Sequence, residues 1–167
     1  MAVGSAYIQN FVVDLNMHPF VSEDKHSQTI IRNNFKCVNL CADQAVITGI
    51  SNDLGFEHIF SEQIRFQGKE DDLIFSFSGS GNSKNILELF KRAKEKKMKT
   101  ILITRSEENK CNEYSDLTIC PINIGESRFP GQTGGNNFNF MAEDFVSKLT
   151  HMVVGLLKEK VQNENKS

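Results

Sequence analysis

Ser78-Gly79-Ser80-Gly81-Asn82-Ser83 gathers the residue types that hold an anion. The stretch follows the apolar run Asp72 to Phe77 and precedes an amphipathic run that starts at Lys84. A short strand therefore feeds a helix through a turn of serines and glycines. Such a helix start presents unpaired backbone N–H groups and the positive end of its dipole. Glycine lets the backbone come close to a ligand, and serine hydroxyls donate without adding charge. The chemistry implied is phosphate binding. Two better-known phosphate loops do not fit. A Walker loop would need Gly-Lys-Ser/Thr where Gly81-Asn82-Ser83 stands, and the dinucleotide fingerprint would need glycine at Lys84. No nucleotide is expected. The plainer alternative is a turn that only caps the helix, with Ser80 or Ser83 as N-cap.

The elements that must position this turn recur in a parallel-sheet rhythm. Phe35 to Leu40 reads as a strand, Asp43 to Ile50 as a short helix, and Phe56 to Gln67 as a helix carrying Ile59, Phe60 and Ile64. Asp72 to Phe77 is the next strand and Lys84 to Lys97 the helix after the turn. Thr100 to Thr104 and Asp116 to Pro121 supply further strands, giving βαβ units and an α/β fold. Ile122 to Asn139 is a long Gly- and Asn-rich loop with Pro130, of a length that more often serves function than idles. A last helix runs from about Phe140 to Val161, and a polar, frayed tail from Gln162 to Ser167.

At 167 residues the chain fits one domain over 1–167. Hydrophobic residues at 39% and charged residues at 24% are ordinary for a globular protein. The net charge of −2 and the interleaving of Glu95 within the basic run Lys91 to Lys99 argue against a nucleic-acid surface. No apolar run reaches membrane length, and Gln9, Asn10 and Asp14 interrupt the N-terminal apolar residues, so neither a membrane span nor a signal peptide is expected. Cys37, Cys41, Cys111 and Cys120 show no Cys-x-x-Cys spacing. Free thiols in a reducing cytoplasm are the expectation, not a zinc knuckle.

Taken together, Gly4-Ser5-Ala6, Val13-Asp14-Leu15, Ile50-Ser51-Asn52-Asp53-Leu54-Gly55-Phe56-Glu57 and Ser78 to Ser83 resemble the phosphoheptose isomerases of the sugar isomerase (SIS) superfamily. Ala142-Glu143-Asp144 and His151 extend the match, which runs from Gly4 to about Lys158. The resemblance implies a flavodoxin-like, doubly wound parallel sheet assembled as homodimers or homotetramers. It implies an isomerase acting on sedoheptulose 7-phosphate, a heptulose phosphate used for lipopolysaccharide or capsule. On this basis Ser78, Gly79, Ser80, Asn82 and Ser83 bind the sugar phosphate, Ser5 lies on a second contact loop, and Asp53 contacts sugar. The family's catalytic glutamate falls on Asp14 and its catalytic histidine on His151.

Those types suit aldose–ketose isomerisation, which moves a proton between neighbouring carbons through an enediol. A carboxylate serves as base, and an imidazole exchanges the oxygen-bound proton near neutral pH. Without the resemblance, His151 on an apolar helical face would read as a core histidine. Many family members hold zinc on two histidines, a glutamate and a glutamine; the matching residues are Asn10, Asp14, Glu143 and His151. Zinc or another divalent metal on Asp14, Glu143 and His151 is thereby implied, each helix presenting its pair on one face. Family members also carry a helical segment and a first strand ahead of the Gly-Ser loop. Only Met1-Ala2-Val3 precede Gly4, so that helix and strand are expected to be missing or shortened. The rival readings are a non-catalytic phosphosugar-binding module and a flavodoxin-like electron carrier. The absence of Trp and the presence of only two Tyr weaken the latter.

Overall fold

The computed structural model describes residues 2–17, 35–120 and 139–164, and of 2–7, 139–143 and 164 the backbone alone. The long loop expected from Ile122 to Asn139 lies almost wholly outside the described residues. The rest groups into two compact units. One draws on the chain up to Ala42 and from Asp144 onward, the other on Asp43–Glu143.

The second unit holds the sheet. Strands β1 (Leu73–Phe77), β2 (Lys99–Ile103) and β3 (Leu117–Ile119) are parallel and lie in the order β1-β2-β3. Phe77 stands opposite Ile103, and Ile103 opposite Ile119, so the three strands end level with one another. That shared edge is where α/β sheets place their ligands. The crossover from β1 to β2 is helix α4 (Lys84–Glu95), which buries Asn85, Ile86, Leu89, Phe90 and Ala93 along one face. Phe90, Leu102 and Ile103 are fully buried, and Ile59 and Ile64 join them in the core. Each such side chain contributes about 1.5–3 kcal/mol of transfer free energy.

Helix α4 stops by a Schellman arrangement. Met98 N–H donates to Ala93 O and Lys97 N–H to Lys94 O, with Lys97 at φ 57°. Glycine normally takes that left-handed position. One polar strand residue is buried with all its donors partnered: Thr100 Oγ1 lies 2.9 Å from Tyr114 O and 3.0 Å from the Asp116 carboxylate, and Thr100 N–H donates to that carboxylate at 2.8 Å. The two Thr100 bonds to Asp116, first that of the backbone N–H and then that of the hydroxyl, hold its carboxyl below the usual carboxylate range.

Three expected elements differ in detail. Phe56 to Gln67 is interrupted: a 3-10 turn at Phe56–His58 precedes α3 (Ser61–Gln67). Helix α2 (Gln44–Leu54) is capped by Asp43, whose carboxylate accepts from Val46 N–H at 3.1 Å, and continues through Ser51-Asn52-Asp53 until Gly55 turns at φ 101°. Phe35 to Leu40 forms no strand. Its backbone is tied by side chains instead, with Cys37 N–H donating to Asn16 Oδ1 and Cys41 N–H to Asn39 Oδ1. A 3-10 helix at Lys110–Tyr114 was not expected.

The other unit is built on α1 (Ala2–Met17) and α5 (Asn139–Glu164), in which Phe11, Val146 and Val154 are buried. Ser5 falls inside α1, not on a loop as the resemblance implied. Among the described residues no helix is long and apolar enough to cross a membrane.

Candidate functional site

The turn after β1 is stitched together by its own polar groups. Ser78 is buried, and its hydroxyl oxygen accepts from Gly81 N–H at 3.2 Å. Ser80 Oγ accepts from Asn82 N–H at 3.2 Å, which leaves the Ser80 hydroxyl proton to donate outward. Ser83 is the N-cap of α4 by its backbone, at φ −64° and ψ 127°, yet its hydroxyl makes no capping bond. The plain capping role is therefore not the one these serines fill. Among the described residues Ser80, Ser83 and Lys84 also have no partner for their backbone N–H groups. Two hydroxyls and three amides at one helix start are what a phosphate needs.

Groups far along the chain fix this shape. Three donors meet on the Gly79 carbonyl: Arg105 N–H at 3.2 Å, Arg105 Nε at 3.2 Å and Thr104 Oγ1 at 3.3 Å. Because a trans peptide points its C=O and N–H in opposite directions, this turns the Ser80 N–H away from residues 104 and 105. Gly81 sits at φ +63°, and a Cβ there would fall 2.4 Å from Asn109 Cγ. Asn109 cannot swing aside cheaply, since its amide bonds Ser106 O and Asn112. Lys110 N–H donates to Asn82 Oδ1 at 2.9 Å and Cys111 N–H to Gly81 O at 3.2 Å. Asn82 thus keeps its side-chain N–H groups for a ligand. Cys111 is fully buried under the turn, and burial pushes its thiol up to about 11.

In the other unit, His151 on α5 and Asp14 on α1 approach each other, with Nε2 and Oδ2 3.6 Å apart. The His151 side chain is 64% exposed, which overturns the core-histidine reading, and that of Asp14 is 20% exposed. The pair is close enough to exchange charge and looser than a hydrogen bond.

Not every residue of interest joins these two clusters. Asp53 lies in the last turn of α2, exposed, its carboxylate accepting from Asn52 Nδ2 at 2.9 Å. Nothing among the described residues bonds it to the serine turn. The side chains of Ser5 and Glu143 lie outside the described residues. Among those described, no three His, Cys, Asp or Glu groups could hold a metal together. Asp14 and His151 offer two donors, short of the three or four protein ligands zinc takes. Arg105 and Asn109 were missed from the sequence. The signal available was slight, a Thr-Arg pair directly after an apolar strand.

The chain belongs to the SIS domain family, whose model matches residues 34–131. It is 30% identical over 126 residues to the phosphoheptose isomerase of Hamiltonella defensa, covering 75% of this chain and 55% of that protein. It is 31% identical over 100 residues to the phosphoheptose isomerase of Helicobacter pylori, covering 60% of this chain and 52% of that protein. The chain thus spans about half the length of the curated relatives it matches. Its fold resembles the solved phosphoheptose isomerases of Francisella tularensis (TM-score 0.69, 20% identity, 94% of this chain and 72% of that one) and Neisseria gonorrhoeae (TM-score 0.57, 20% identity, 95% and 71%).

Proposed function

We propose that this chain binds a phosphorylated sugar and interconverts its aldose and ketose forms, with sedoheptulose 7-phosphate as the substrate, in the supply of heptose for surface polysaccharide. The observation that carries the reading is the set of donors at the β1–α4 turn without partners among the described residues, with Ser83 at the cap position and its hydroxyl making no capping bond. The names of the relatives support the choice of sugar. The serine turn holds the phosphate, and Asp14 and His151 carry the proton. A carboxylate takes the proton from the carbon beside the carbonyl and returns it to the neighbouring carbon, while the imidazole exchanges the hydroxyl proton of the enediol. Four unpaired thiols fit a cytoplasmic setting. A homodimer or homotetramer remains part of the proposal on the resemblance alone, as does a divalent metal completed by Glu143.

Titration calorimetry with sedoheptulose 7-phosphate tests the binding half. Ser80→Ala combined with Ser83→Ala abolishes the heat of binding if the turn is the phosphate site; unchanged affinity removes the assignment. The 3.6 Å separation of Asp14 and His151 favours a second reading, a module that binds phosphosugar without turning it over. Turnover of sedoheptulose 7-phosphate by the parent protein, with and without added zinc, separates the two.

A further inference from the structure

Arg105 brings a cation against the serine turn, and it is held there by only part of its side chain. Its Nε donates to the Gly79 carbonyl at 3.2 Å, and its Cζ would lie 3.9 Å from a Cβ placed on Gly79. Among the described residues its terminal nitrogens have no hydrogen bond and no carboxylate partner. Glu107 and Glu108, both exposed and only two and three residues on, do not pair with it. Nor does α4 answer the charge, since its first turn holds no acid and starts with Lys84. A cation at that end opposes the helix dipole, and a protein carboxylate there would relieve both. Among the described residues no carboxylate pairs with the positive charge at this edge.

We propose that Arg105 is an anion-binding residue of this turn. One N–H anchors the guanidinium to Gly79, and the remaining donors take oxygens of a phosphate dianion other than the one met by the Ser80 amide, which points away from Arg105. Serine hydroxyls and backbone amides hold a phosphate by dipoles; Arg105 adds full charge and a planar fork of donors. It makes the site select the dianion over a neutral sugar end. The inference rests on the reading of the turn as a phosphate site.

The test measures binding of sedoheptulose 7-phosphate and of inorganic phosphate to the intact protein, at low and high ionic strength. Arg105→Gln keeps a donor for Gly79 and loses the charge; Arg105→Lys keeps the charge and loses the fork. Expected are a loss of about 10- to 100-fold for Gln, a smaller loss for Lys, and a flatter salt dependence in Gln than in the parent. Equal losses in both variants with unchanged salt dependence would make Arg105 a mere brace for Gly79 and overturn the proposal. Parent-like binding by Arg105→Gln overturns it too. If the Ser80→Ala, Ser83→Ala protein has meanwhile lost binding, the phosphate turn itself stands. Should either variant fail to fold, phenylglyoxal labelling of the parent decides: phosphate is expected to protect Arg105, and equal labelling with and without phosphate overturns the proposal.

Discussion

The serine turn and the Asp14–His151 pair are built in opposite ways. The turn is cross-braced by side chains and backbone from residues 104 to 111, with bonds of 2.9 to 3.3 Å reaching Gly79, Gly81 and Asn82. The pair meets at a 3.6 Å approach between helices, with the imidazole largely in solvent. A rigid cradle suits a group that stays put during a reaction, as a phosphate does. A looser, wetter pair suits groups that must gain and lose protons. Substitutions at the two places should accordingly fail in different currencies, affinity or stability at the turn and rate at the pair.

The largest effect is expected at the pair. His151→Ala should lower turnover by about two to four orders of magnitude while leaving the melting temperature nearly unchanged, because the side chain is exposed. A variant as fast as the parent would remove His151 from the chemistry. Gly81→Ala should do the reverse. Its φ of +63° and the 2.4 Å approach to Asn109 Cγ combine strain with overpacking, costing about 2–5 kcal/mol in denaturant unfolding. A loss well under that would mean the turn yields and is not braced.

Smaller effects sharpen the contrast. Cys111, buried beneath Gly81 with its thiol pushed up to about 11, should resist a thiol reagent at neutral pH until the unit unfolds. Labelling as fast as that of an exposed thiol would show the turn opening readily. Lys97→Gly should stabilise by about 0.5–1 kcal/mol, since Lys97 occupies the left-handed position of the α4 Schellman stop. Asp116 supplies the smallest effect. Its carboxyl is held low in the folded state, so its contribution is present above the ordinary carboxylate range and fades as pH falls through the lowered value. Asp116→Asn should flatten the acid limb of the stability curve, and an unchanged limb would show that the Thr100 bonds contribute nothing there.

The turn was legible from sequence because strand, glycines, serines and helix follow one another directly, and local rules of chain geometry act over such spans. The α/β class was legible for the same reason, from β1 to β2 through α4. The strand expected at Phe35 to Leu40 was misread because an apolar run says nothing of whether Asn16 and Asn39 side chains take its backbone bonds. That Asp14 and His151 approach within 3.6 Å had no local signal, since they lie on helices far apart in the chain; only the resemblance set them side by side.

What the amino-acid order by itself determined is the local chemistry: a hydroxyl-rich turn at a helix start, and the alternation of strands and helices that carries it. What only the tertiary structure decided is who stands around that turn. Parallel pairing sets Phe77 opposite Ile103, so residues just past the two strand ends become neighbours, and Thr104 and Arg105 arrive at Gly79. That register is chosen by the packing of Phe90, Leu102 and Ile103 in a shared core, a many-body fit that no short window of sequence contains.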